Sequence, residues 1–328
     1  MTSANISATP KAPQIRWGQL RHTLAPPAIF LGLLAIIAVA VPEFLGGGGP
    51  SIIAQQATPI LLIALAQATV LQTGSIDLSN AALGLFCAII LAMTLGPMGV
   101  AAPFLCVAIV TAIGVVNGLL LVFTQVPSFA LTLGTLGILQ AASLWITGSN
   151  VVYVTDNLDV VDWLFEAQFL TIPAAFWISC ALAIGMWALL RFTSIGQGFT
   201  AVGFNERASI LSGLRVKALK VAAFGLSGFF AGLAGICVIS IGGAASSIGL
   251  GSDLLVPGIA AALVGGTAIT GGVCNPINVV FGAMFIALIP VGTAAVGVSP
   301  QSQSIVYGLV LIIAVAATVS RSRSGIVK

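Results

Sequence analysis

The chain is expected to fold as an all-α, polytopic membrane protein of about ten transmembrane helices with both ends in the cytoplasm. Three observations carry that expectation. Hydrophobic residues make up 59% of the sequence and charged residues only 6%, against about 25% charged in soluble domains; the mean hydropathy is +1.16. The apolar runs are roughly twenty residues long and do not alternate with polar residues, which selects helices over a strand-built barrel. The eleven cations fall into three islands: Lys11, Arg16 and Arg21; Arg191, Arg207, Arg215, Lys217 and Lys220; and Arg321, Arg323 and Lys328. Confinement of Lys and Arg to islands marks the cytoplasmic side of a membrane protein. Glu43, Asp156, Asp159, Asp162, Glu166 and Asp253 take the other side, and Asp77 and Glu206 stand apart from both groups.

If all three islands are cytoplasmic, an even number of spans separates each neighbouring pair. The first half is read as spans over 25–43, 52–72, 78–95, 100–123, 128–147 and 170–190, and the second as 220–241, 254–270, 276–296 and 303–320. The apolar run from Leu24 to Val41 is long enough to cross a bilayer, so it is read as a retained first span rather than a cleaved leader. Breaks fall at Gly46–Pro50, Thr73–Asp77, Gly96–Gly99 and Gln125–Pro127, and the acidic stretch 148–168 forms the one sizeable outer loop, with Tyr153 and Trp163 suited to the interface. Asp253 is read as an outer N-cap acid. Two inner turns of the first half carry no Lys or Arg, which leaves room for a re-entrant segment there. Ten spans divided equally imply an inverted five-plus-five arrangement, because an odd repeat unit must invert in the membrane. The domain plan is a cytoplasmic tail over 1–20 and one transmembrane domain over 21–328, with a cytoplasmic loop at about 191–220.

That loop, "RFTSIGQGFTAVGFNERASILSGLRVKALK" from Arg191 to Lys220, is too polar to span and too long for a tight turn. It encodes a short helix. Asn205 is a favourable N-cap, Glu206 falls in the first turn where the helix dipole favours an acid, and Gly213 suits a left-handed stop. Ala208, Ile210, Leu211 and Leu214 add apolar side chains. Such a helix serves either as a contact for a partner or as a surface element lying on lipid headgroups.

Gly203, Asn205, Glu206, Ala208 and Gly213 resemble the coupling-helix segment of ABC importer permeases, in the branch of ribose, xylose and other sugar permeases related to the branched-chain amino acid permeases. Four further segments agree in order: "TGSIDLSNAALGLF" (73–86), "VPSFALTLGTLGI" (126–138), "IAAALVGGTAITGGVCNP" (259–276) and "GVSPQSQSIVYGLVLIIAV" (297–315). Ser75, Asn80 and Ala81 depart from the family pattern, Asn80 standing where the pattern has an apolar residue. The resemblance implies a multi-pass permease of a bacterial inner membrane that translocates solute and has no catalytic site or cofactor of its own. ATP and magnesium would sit on a separate ATPase subunit, a periplasmic or extracellular binding protein would deliver solute, and a second permease copy or a sister permease would complete the conduit. It also implies that Gly203, Asn205, Glu206, Arg207, Ala208, Leu211 and Gly213 form the contact with the ATPase. The chain agrees in containing no GxxxxGK[ST] phosphate loop.

Candidate residues for the translocation pathway are Asp77, Asn80, Asn117, Thr132 and Thr135. An ionised acid inside a bilayer costs at least about 2.5–3.5 kcal/mol, so Asp77 must face a cavity, a partner or a membrane edge. It either lines a pathway at a broken helix or caps the helix beginning near Leu78. Asn117, Thr132 and Thr135 either bond helices together or offer neutral donors and acceptors to an uncharged sugar. Gly225, Gly228, Gly232 and Gly235 allow close helix approach. The five cysteines are isolated in apolar surroundings and His22 is the single histidine, so no metal site is expected. The function read from the sequence is ATP-driven import of a neutral sugar or sugar-like solute. The alternatives are an ATP-independent secondary transporter and an ABC permease for amino acids or nucleosides.

Overall fold

The computed structural model describes residues 17–46, 48–247, 252–295, 297, 299 and 302–318. The basic residues Lys11, Arg16, Arg321, Arg323 and Lys328, and most of the tail assigned to 1–20, lie outside the described residues. In chain order the helices are α1 (Trp17–Ala40), α2 (Glu43–Gly46), α3 (Gly49–Gln72), α4 (Asn80–Met98), α5 (Ala101–Thr124), α6 (Ser128–Thr147), α7 (Asp159–Glu166), α8 (Ala174–Phe192), α9 (Ser194–Phe204), α10 (Glu206–Leu211), α11 (Val216–Gly242), α12 (Leu255–Val264), α13 (Pro276–Ala295) and α14 (Gln303–Thr318). Four short strands accompany them: β1 (Val151–Tyr153), β2 (Gln168–Phe169), β3 (Ile172–Pro173) and β4 (Ala244–Ser246). Among the described residues seven helices are long and apolar enough to cross a membrane, namely α3, α4, α5, α6, α8, α11 and α13. The other expected intervals hold shorter apolar helices in α1, α12 and α14.

The two ends of the bundle differ in character. At one end the C-termini of α3, α5 and α8 meet the N-termini of α6 and α11, together with α9, α10 and the connections 73–79 and 265–275. α1 runs parallel to α13, with the Phe30 and Phe281 rings 6.3 Å apart and Ile37 beside Gly292, so Arg21 belongs to this end with Arg191, Arg207, Arg215, Lys217 and Lys220. At the opposite end β1 pairs antiparallel with β4, Val152 opposite Ala245, and α7 carries Asp159 and Asp162 in its first turn. α7 buries Val161 and Phe165, and Ser240 Oγ on α11 donates to the Val161 carbonyl at 2.6 Å. Asn157 Nδ2 closes the same end by donating to the Gly96 carbonyl at 2.9 Å.

Two segments differ from the sequence expectation. The interval 254–270 is not one span: its helix stops at Val264, where the Thr267 amide reaches back to the Ala262 carbonyl at 3.1 Å, and 265–275 is irregular. The loop 191–220 holds two helices rather than one. α9 starts on Thr193, whose Oγ1 accepts from the Gly196 amide at 3.1 Å. Gly196, Gly198 and Gly203 obscure α9 in the sequence because glycine is a poor helix former.

α11 is the packing centre. Its small residues bring its backbone against neighbouring helices. A Cβ on Gly228 would stand 2.6 Å from the Val110 carbonyl oxygen, and one on Gly114 of α5 would stand 3.2 Å from Gly228 Cα. On the adjoining face a Cβ on Gly84 of α4 would stand 3.0 Å from the Ala231 oxygen. In lipid, where apolar burial no longer drives association, such close contact and its van der Waals packing hold helices together. Gly228→Leu should therefore split the α5–α11 contact, at a cost of about 3 kcal/mol or more, because overpacking against backbone finds no relief. Gly185→Leu, where a side chain would meet nothing within 4 Å, should be tolerated. Folded yield and thermal midpoint in detergent compare the two, and equal midpoints would refute close packing at Gly228.

Candidate functional site

The connection between α3 and α4 is irregular backbone inside the bundle. Ser227, which it reaches, stands roughly three turns into α11, and Asn117 stands roughly two turns from the end of α5. Non-helical backbone at such depth survives only where protein satisfies its polar groups. The first turns of α6 do this: the Ile76 amide donates to Ser128 Oγ at 2.9 Å and the Leu78 amide to Thr132 Oγ1 at 3.0 Å.

Asp77 is fully buried and both its oxygens accept hydrogen bonds. Oδ1 takes the Ser79 amide at 2.8 Å and the Ser79 hydroxyl at 2.6 Å, and Oδ2 takes the Ser227 hydroxyl at 2.8 Å. The chain of bonds continues outward. Asn117 Nδ2 donates to Ser79 Oγ at 3.2 Å, and Thr135 Oγ1 donates to Asn117 Oδ1 at 2.8 Å. Asn80 Nδ2 donates to Gln67 Oε1 on α3 at 2.7 Å. Asp77, Asn80, Asn117, Thr132 and Thr135 are thus gathered into one polar cluster that ties α3, α4, α5, α6 and α11 together. Of the two readings of Asp77, the Oδ1 bond to the Ser79 amide is that of a side chain capping a helix that begins near Leu78, although regular α4 starts only at Asn80 and Ser79 makes no side-chain capping bond.

The second site is α10. Asn205 Oδ1 accepts from the Ala208 amide at 3.0 Å, and the helix ends with the Leu214 amide on the Ser209 carbonyl at 3.1 Å and Gly213 N on Ile210 O at 3.0 Å. Gly213 holds φ 80°, the left-handed conformation this stop needs. Leu211 is 89% exposed, with Phe204 and Ile210 also exposed. Glu206 is anchored: Lys220 Nζ bonds both its oxygens at 2.7 Å, tying α10 to α11. Arg207 is exposed and makes no ion pair among the described residues.

Gly203 joins α10 to the bundle. A Cβ there would overlap the Gln72 carbonyl at the end of α3 and the Gly272 backbone. Gly271 in turn lies so close to Gly74 that a Cβ would stand 2.8 Å from Gly74 Cα. The Gly272 amide donates to the Gln72 carbonyl at 3.0 Å, and Gln72 Nε2 donates to Thr200 Oγ1 on α9 at 2.8 Å. The α9–α10 segment is therefore locked to the end of α3 and to the connection 265–275.

The sequence reading missed Gln67, Gln72, Ser128, Thr200 and Ser227 as partners. Polar residues isolated in apolar spans were the available signal. Among the described residues no group of three His, Cys, Asp or Glu is gathered as a metal would need.

The seven helices long and apolar enough to cross a bilayer make this a multi-pass membrane protein. Residues 49–315 match the family described as branched-chain amino acid transport system / permease component, and the chain belongs to that family. It is 30% identical over 292 residues to the ribose import permease protein RbsC of Escherichia coli (strain K12), covering 87% of this chain and 90% of that one. It is 31% identical over 306 residues to the probable ABC transporter permease protein YphD of the same organism, covering 88% and 89%. It is 28% identical over 290 residues to the autoinducer 2 import system permease protein LsrC of Photorhabdus luminescens, covering 86% and 85%. No solved structure matches the chain.

Asp77→Ala should leave the Ser79 amide and the Ser79 and Ser227 hydroxyls without an acceptor, each costing about 1–3 kcal/mol, and so abolish folding. Asp77→Asn keeps an acceptor for the fixed Ser79 amide, and the Ser227 hydroxyl can turn to accept. It should retain at least half the folded yield and uptake. Loss of uptake in well-folded Asp77→Asn would show instead that a charge is needed.

Proposed function

We propose that the chain is the translocating subunit of an ATP-driven importer for a neutral sugar or a sugar-like solute. The observation that carries this reading is the 89% exposure of Leu211 on a capped helix that is locked through Gly203 to α3 and to the connection 265–275. A short helix with an outward apolar tip and a rigid backbone link to the bundle suits a mechanical contact. An ATPase subunit closing on ATP would push α10, and the packed backbones at Gly203, Gly74 and Gly271 would pass that displacement to the spans. Hydrolysis belongs to the partner, and this chain supplies no catalytic group.

The same reading places the end bearing α9 and α10 in the cytoplasm, with ten spans, both chain ends inside, an inverted five-plus-five plan and an inner-membrane location. Clustering of the described cations at that end, with α7 and its acids at the other, supports it. The names of the relatives support a sugar-like cargo. A secreted binding protein and a second permease, identical or sister, complete the assembly. The commitment of both Asp77 oxygens to Ser79 and Ser227 counts against an ion-coupled carrier, which needs an acid free to exchange its ion or proton.

The test is reconstitution. The chain purified with its ATPase and binding protein should move sugar into liposomes only with ATP, and uptake by the chain alone on an ion gradient would overturn the proposal. Leu211→Asp should remove roughly 1.5–3 kcal/mol of apolar burial from the ATPase contact, weakening it about tenfold or more, while membrane insertion is unchanged. Glu206→Lys, which opposes Lys220, should likewise uncouple hydrolysis from uptake. Wild-type uptake in both variants would remove α10 from the contact.

A further inference from the structure

Beside α10 lies a cavity of about 750 Å3 whose lining includes Glu206 and Ile210 of that helix. Three cations line it, Arg215, Lys217 and Lys220, against one carboxylate, Glu206. Lys220 is already bonded to Glu206 at 2.7 Å. Arg215 and Lys217 are exposed and make no ion pair among the described residues, so the cavity keeps an unmatched positive charge. Leu121 and Val122 at the end of α5, with Gln125 and Val126 just beyond it, supply a further part of the lining that is apolar except for Gln125. Phe123, beside Val122 on α5, is 75% exposed. Leu211 and Arg207, the outward side chains of α10, are not among the lining residues.

The geometry points to a binding site for the headgroup of an anionic glycerophospholipid, with its phosphodiester on Arg215 and Lys217 and its acyl chains along the last turn of α5. Charge complementarity selects an anion. The apolar residues of the lining, beside the cations, select an amphiphile over a free ion, and basic pockets beside transmembrane helices on the cytoplasmic side have this chemistry. Arginine's planar fork suits a phosphate better than an ammonium does. A lipid seated here would touch the Glu206–Lys220 link and so brace α10 against α11. The assignment rests on the cytoplasmic placement of this end.

Native mass spectrometry of the purified chain, offered equal amounts of phosphatidylglycerol and phosphatidylcholine, tests it. Retention of phosphatidylglycerol should exceed that of phosphatidylcholine by roughly fivefold. Arg215→Gln combined with Lys217→Gln should bring the ratio to parity at an unchanged thermal midpoint, while Arg191→Gln, outside the cavity, keeps it. Val122→Trp, which fills the apolar part of the lining, gives the same readout should the double variant fail to fold. Equal retention of the two lipids, or a preference that survives both cavity variants, overturns the site. Displacement of the lipid by millimolar inorganic phosphate assigns the cavity to a free anion and overturns the lipid. A photo-crosslinker at Val122 in the assembled transporter should capture lipid; capture of the ATPase polypeptide overturns the assignment as well. Labelling of a cysteine at Ser212 from outside intact cells would sink the cytoplasmic placement alone, leaving the retention result to stand on its own.

Discussion

Everything in this bundle depends on how closely other helices approach α11. Lipid tails are as apolar as leucine, so helices gain nothing from hiding apolar surface from them. What holds them is contact, and contact is densest where side chains are missing. The pairing of Gly228 with Gly114 across α5, and of Gly84 with Ala231 across α4, brings backbone to within touching distance of backbone. That approach sets the positions of α4 and α5, and with them the distance between Ser227 and the connection that precedes α4.

Because α11 lies so close, Ser227 can reach Asp77, and an acid can persist where no water solvates it. The connection carrying Asp77 breaks the helical pattern inside the bundle, which lipid would punish with unpaired amides. Hydroxyls from Ser128 and Thr132 take those amides, and Ser79, Asn117 and Thr135 extend the chain of bonds across to α5 and α6. Asn80 Nδ2 is matched by Gln67 on the neighbouring helix. Apart from the buried Oδ1 of Asn80, which has no partner, the cluster spends its hydrogen bonds on itself, so its immediate physical role is to hold the positions of the helices it joins.

The connection rich in buried polar bonds also ends at the glycine junction. Gly74, Gly203 and Gly271 come from three distant parts of the chain and meet through backbone alone. Backbone contacts of this kind leave no soft side chain to absorb a displacement, which is what the proposed coupling role of α10 requires. The Glu206–Lys220 pair is half exposed on its acidic side and contributes little stability of its own, but it is a direct side-chain link between α10 and α11.

Membrane insertion, the order of the apolar helices and the short capped helix were legible in the sequence because each depends on local information. Hydropathy reports transfer into lipid, and Asn205 and Gly213 report the ends of α10. The candidate polar residues were legible as isolated polar letters in apolar text, yet not their roles: nothing in the letters pairs Asp77 with Ser227 or Asn80 with Gln67. α9 was hidden by its glycines, whereas the early stop of α12 is written in Gly265 and Gly266, which the expected span over 254–270 ran across. Only the tertiary structure decided which glycines touch, which hydroxyl meets the acid and where the basic cavity opens. The physical reason is range: hydropathy and capping act over a few residues, whereas hydrogen bonds and backbone contacts between helices are set by which faces pack together.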